Sequence, residues 1–180
     1  MTDPLDRVEQ AVKTAPRGLP PVHLWHPAHV GDIDIVIRAN GEWLHEGRVI
    51  GRPALVRLFS TVLRKDPDGI CLVTPVEKLR IGVEDAPFVA VAVERRGEAL
   101  VFTTNVGDEV AADADHPIRV ETEAASGEPR PYLHVRAGLD ALIARPVFYE
   151  LVEMADEEDG RLTIASSGVR FVLGDAERAS

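Results

Sequence analysis

Apolar and polar positions alternate along Ile33-Asp34-Ile35-Val36-Ile37-Arg38, the period of a half-buried strand. Asn40-Gly41 follows as a tight turn, since both residues accept positive φ. Trp43 to Ile50 then returns as a second strand. After Arg52-Pro53 the period changes. Leu55, Leu58, Phe59, Val62 and Leu63 recur at three- and four-residue steps, which predicts an amphipathic helix over 54–64, with Pro53 at its first position. Asp68-Gly69 closes the next loop, and strands follow over 70–74 and 78–83. The stretch from Gly31 to Glu94 organises the chain. Its helix needs a sheet to cover, and the flanking strands supply one.

Ahead of this block, Leu5, Val8 and Val12 mark a short amphipathic helix, and Pro16, Gly18, Pro20 and Pro21 form a stiff linker. Behind it, Glu84-Asp85-Ala86-Pro87 reads as a turn into a second sheet. Strands over 88–93 and 99–104 enclose the hairpin Arg95-Arg96-Gly97-Glu98. A half-exposed strand over 118–123, a loop over 126–131, a strand over 132–136 and a helix over 146–154 come next. Strands over 162–165 and 169–173 close the pattern, and a polar tail, 175–180, is expected to fray.

The second half repeats the first. Arg145-Pro146 matches Arg52-Pro53, and Asp159-Gly160 matches Asp68-Gly69. Val135-Arg136-Ala137-Gly138 matches Ile37-Arg38-Ala39-Asn40. From proline to glycine is 16 residues in one copy and 14 in the other. The expectation is an α+β protein of two similar strand-helix-strand modules, an internal duplication. Its parts are residues 1–18 (helix and linker), 19–83 and 84–180. Each copy alone buries little surface, so the two should fold as one unit.

The 180 residues are 45% hydrophobic and 28% charged, which permits a packed core. The net charge of −10 is uneven: residues 1–82 carry +1 and residues 83–180 carry −11. An acidic half repels phosphate backbones and anionic lipid, so neither duplex nucleic acid nor a membrane is an expected partner. One cysteine, Cys71, sits in the apolar run Ile70-Cys71-Leu72-Val73 and reads as core. A single cysteine, an N-terminus without a secretory pattern and no long apolar run together point to the cytoplasm.

Candidate chemistry is sparse. His23, His26 and His29 with Asp32 and Asp34 carry metal-ligating side chains, but they lie on one extended segment without a cysteine pair, and no metal or cofactor is expected. On a strand Trp43 and His45 share a face. If Leu44 is buried, they form an outward stacking platform for a ring; the alternative is that Trp43 caps the core. Arg48 and Arg52 flank the helix entrance, where N–H groups favour an anion, or they pair with Glu46, Glu84 or Asp85. Lys78 adds a further cation. Glu77, Glu84 and Asp85 lie at strand ends and could serve acid–base work or simply be solvated. Walker, Gly-x-Ser-x-Gly, His-Glu-x-x-His and dinucleotide glycine patterns are absent. No catalytic residue is assigned.

Four segments in order resemble the bacterial domain-of-unknown-function family 1285: Gly31-Asp32-Ile33-Asp34, Asn40 to Gly47, Leu72 to Lys78 and Val83 to Phe88. The similarity runs from about Leu19 to Leu173. The resemblance implies two α+β parts related by duplication and a C-terminal part like a pleckstrin-homology barrel. It also implies a ligand between the parts, of a nucleotide-like kind. The expected function is ligand binding or regulation of a signalling type. A small anionic ligand would be held by Trp43, His45, Arg48, Arg52, Lys78, Glu84 and Asp85. The alternatives are a small enzyme using His45 with Glu84 or Asp85, and a protein-interaction module.

Overall fold

The computed structural model describes residues 2–14 and 18–178. The chain divides into two compact units, Met1–Asp85 and Ala86–Ser180. Both are mixed α+β, and three α-helices occur among the described residues. None of these is long and apolar enough to cross a membrane.

In the N-terminal unit Asp3 caps α1 (Pro4–Lys13), its side chain accepting from the Leu5 N–H. The strands are β1 (His29–Ile37), β2 (Trp43–His45) and β3 (Arg48–Val49). After helix α2 (Pro53–Ser60) come β4 (Leu63–Asp66), β5 (Gly69–Val73) and β6 (Glu77–Val83). They form one sheet in the order β3-β2-β1-β6-β5-β4, in which β1 and β6 run parallel. The reason lies in the connections. Hairpin turns join β1–β2–β3 and β4–β5–β6, and α2 is the crossover between the two meanders. Ile33, Ile35 and Ile37 face the core with Trp43, whose register partner is Ile37. Leu55 and Phe59 of α2 complete that core, and α1 packs on α2 through Val8 and Val12.

The C-terminal unit has β7 (Phe88–Arg96), β8 (Ala99–Thr104), β9 (Glu109–Ala111), β10 (Ile118–Thr122), β11 (Pro129–Arg136) and β12 (Leu139–Ile143). They form a curled half-barrel in the order β10-β11-β12-β7-β8-β9, with β12 and β7 parallel. Helix α3 (Arg145–Met154) leads into a separate meander, β13 (Asp156–Glu158), β14 (Arg161–Ser166) and β15 (Val169–Asp175). Buried Ser166 joins the two sheets. Its hydroxyl donates to the Ala112 carbonyl at 2.7 Å and accepts from the Leu100 N–H at 2.8 Å. β15 lies alongside β10. The two units are similar: each has a Pro-started helix followed by a three-stranded meander, and each holds one parallel strand pair.

Several expectations need correction. Helix α2 stops at Ser60: Val62 is buried in the turn that follows, and Leu63 opens β4 with Leu72 as its partner. At Asn40-Gly41 only Gly41 is left-handed, and the Asn40 side chain accepts from the Glu42 N–H instead. The tight turn with two left-handed residues sits at Glu46-Gly47, and Trp43–Ile50 is accordingly split into two short strands. Residues 129–131, expected as loop, belong to β11, and β4, β9, β12 and β13 are strands beyond those expected. Asp175 ends β15 and 176–178 form a 3-10 turn. Pro16 of the expected linker and the last two residues lie outside the described residues.

Candidate functional site

The seven expected site residues do not converge. Trp43 is 2% exposed, so the outward stacking platform is absent. Its face of β2 is the face that α2 covers, and its ring lies against Phe59 with centroids 6.5 Å apart. Leu44, on the other face, is buried too. His45 is half-buried, opposite Ile35 and Arg48. Arg48 is exposed on the edge strand β3. Arg52 reaches the other way, to Glu9 of α1 at 3.4 Å. Glu84 accepts the Ala39 N–H at 2.9 Å and so fastens the β1–β2 turn. β2 and β6 flank β1, about 10 Å apart, which keeps His45 from Glu84. Asp85 follows directly at the end of the unit. Lys78 lies near the opposite end of β6, about 16 Å from Val83 along the strand.

Lys78 instead belongs to an ion-pair cluster on the sheet face away from α2. It binds Asp66 at 2.7 Å and Asp68 at 2.9 Å. Arg64 grips Asp66 with two nitrogens at 2.7 and 2.9 Å. A third nitrogen of Arg64 donates to the carbonyls of Val22 and Trp25. Arg80 bridges Asp68 and Asp32. The bidentate Arg64 contact, with Lys78, holds the Asp66 carboxyl down at about 2. Burial pushes the Cys71 thiol beneath this cluster up to about 11, so it stays an unreactive thiol at neutral pH. The cluster is self-paired and pins the segment around Val22–Trp25, which places His23 and His26 on a strapped loop. Among the described residues no three His, Cys, Asp or Glu side chains gather as a metal centre.

The C-terminal unit holds a histidine pair. His134 Nδ1 meets Asp140 Oδ1 at 3.0 Å, and His116 Nδ1 meets Asp113 Oδ1 at 2.9 Å. Asp140 also takes Arg119 at 2.8 Å. The ring centroids are 6.5 Å apart. One tetrahedral zinc would bring two imidazole centres to about 5 Å, so the pair is not poised to share a metal ion.

A concavity also lies wholly in the C-terminal unit. It is a groove of about 1070 Å³ between the β10–β11 hairpin, α3 and β14–β15. Aliphatic residues are part of its lining: Val120, Leu142, Val152, Leu162, Val172 and Leu173. Val172 is 47% and Tyr149 57% exposed along it. Two ion pairs form the rim, Arg130 with Glu123 and Arg145 with Glu128, each at 3.2 Å. The groove forms because β10 and β15 are edge strands of different sheets. They lie close without joining, and α3 spans the gap. Sequence reading singled out Arg145 only as a repeat marker, since the lining comes from segments scattered between Val120 and Asp175.

Comparison with known proteins agrees with this architecture. The family model "Domain of unknown function (DUF1285), N-terminal domain" matches residues 20–86, and "Protein of unknown function (DUF1285), C-terminal domain" matches residues 87–173. The crystal structure of a DUF1285 family protein from Silicibacter pomeroyi DSS-3 is 48% identical. It superposes with a TM-score of 0.88 over 99% of this chain and 98% of its own. A DUF1285 family protein from Shewanella baltica OS155 is 28% identical, with a TM-score of 0.54 over 66% of this chain and 90% of its own. No curated protein matches. The chain belongs to the DUF1285 family.

Proposed function

We propose that the protein is a ligand-binding, regulatory protein and that its small-molecule ligand lies in the groove of the C-terminal unit. One observation supports the reading: the groove of about 1070 Å³ is lined by aliphatic residues together with hydrogen-bonding side chains. Ligand pockets are concave, mostly apolar and carry a few polar groups that fix orientation. Tyr149 adds an exposed ring on one wall. The site thus moves from the Trp43 strand to α3. Arg52 and Lys78, the cations expected to bind an anion, are held by Glu9, Asp66 and Asp68.

The test is mass spectrometry of small molecules retained through purification, followed by a thermal-shift panel that includes nucleotides, the class the family resemblance implies. A ligand binding only the native state at a hundredfold excess over its Kd raises stability by about 2.7 kcal/mol. A stabiliser whose effect disappears in Val172→Gln supports the reading. A stabiliser that acts equally on Val172→Gln overturns it.

A further inference from the structure

We infer that α1 is a strap that releases from α2 on its own, and that a charge catch, Arg7 on Glu77, decides whether it stays down. Ten residues are too few for a helix to hold itself together in water, so α1 keeps its shape only while it is docked. Its docked side is narrow. Val8 and Val12 are its buried apolar residues, at 1% and 7% exposure. Ion pairs accompany them. Glu9 takes Lys13 of the same helix, which ties α1 to nothing else. Glu9 also takes Arg52 at 3.4 Å, but Arg52 is 67% exposed and the contact adds little.

The pair with Glu77 is of a different kind. Arg7 donates from Nε and Nη2 to the two carboxylate oxygens of Glu77, at 3.2 and 3.3 Å. Glu77 opens β6, and its side chain is 7% exposed. Among the described residues Arg7 is the one side chain that bonds this carboxylate. A buried carboxylate without a counter-ion is costly, and that cost exceeds what the intact pair adds. Glu77 therefore acts in two senses. Paired, it holds α1 down. Unpaired, it is relieved once α1 lifts and water reaches it, so it drives α1 off. The β1–β6 ladder stays closed in that event, because Glu77 is the first residue of its strand. Release uncovers Val8, Val12 and the side of α2 beneath them.

Amide hydrogen exchange of the full chain, read residue by residue by NMR, tests this in the wild type, Arg7→Gln, Glu77→Gln and the double variant. In the wild type the amides of Val8 to Lys13 should exchange faster than those of β1 and β6, the signature of a separate opening. Arg7→Gln should speed the α1 amides by roughly tenfold to a hundredfold, less than for a fully buried pair because Arg7 is 41% exposed. The amides of β1 and β6 should not respond, and they report in the same sample that the fold is intact. Glu77→Gln should have a smaller effect, since a neutral amide needs no counter-ion. Adding Glu77→Gln to Arg7→Gln should bring the α1 amides back to within about threefold of the wild type, because no unpaired charge is left. A hold made of simple contacts would leave the double variant at least as fast as Arg7→Gln. The inference is overturned by that result, by α1 amides that ignore Arg7→Gln, or by α1 exchanging only together with β1 and β6.

Discussion

Trp43 lies against Phe59, with ring centroids 6.5 Å apart and planes inclined by 29°. This contact joins the strand meander to the helix that crosses over it. It also explains why an aromatic on the second strand serves the core rather than a ligand. The indole Nε1 has no hydrogen-bond partner among the described residues. The side chain therefore contributes through packing while carrying an unmet donor.

Trp43→Ala should destabilise the protein by about 3–5 kcal/mol, the range for emptying a large aromatic site in a core. Trp43→Phe should cost much less, because it fills most of the site and removes the unmet N–H. Denaturant unfolding of both variants checks the ranking. Equal losses would mean that the indole nitrogen has a partner.

Asp66 sets a pH dependence. Its folded carboxyl titrates at about 2, below the ordinary value of 3.8. A depressed carboxylate stabilises the fold above its unfolded value, and the contribution disappears as pH falls through the folded one. Asp66 should therefore contribute about 1–2 kcal/mol above pH ~5, after solvent screening, and lose it between pH ~4 and ~2. The unfolding free-energy gap between wild type and Asp66→Asn should narrow over that window. A gap of constant size from pH 7 to 2 contradicts the assignment.

Arg52 and Arg145 occupy matching places before the two helix prolines, yet their side chains are 67% and 68% exposed. Each makes an open ion pair, so Arg52→Ala and Arg145→Ala should each cost no more than about 1 kcal/mol. Glu9 keeps Lys13 as a second partner when Arg52 is removed. Parallel urea melts measure both. A loss well above 2 kcal/mol in either variant would show an anchoring role that the exposure does not suggest.

Much of the fold is legible in the sequence where one period dominates. β1, β5, β6, β7, β8 and both Pro-started helices follow from alternation, turn residues and helical spacing. The Arg-Pro and Asp-Gly repeats reveal the two similar units. Legibility ends where one residue type satisfies two structures. Val62-Leu63 is apolar in either a helix or a strand, and the pairing of Leu63 with Leu72 decides. β12 is missed because Leu139-Asp140-Ala141-Leu142-Ile143 is short and sits between a turn and a helix. Trp43 shows the limit for the site. The pleat gives the face it shares with His45, but only packing says that this face meets α2. The groove is less legible still, because no local pattern records that β10 and β15 come together.

Methyl NMR of the full chain with 1-anilinonaphthalene-8-sulfonate, a ring-bearing anion, tests the location of the ligand site most directly. The account predicts shifts concentrated on the methyl groups of Val120, Leu142, Val152, Leu162 and Val172, which line the groove. Val30, Val49 and Val76 are exposed apolar residues of the N-terminal unit and serve as internal controls. Shifts concentrated on those three, with the groove methyls unmoved, would contradict it.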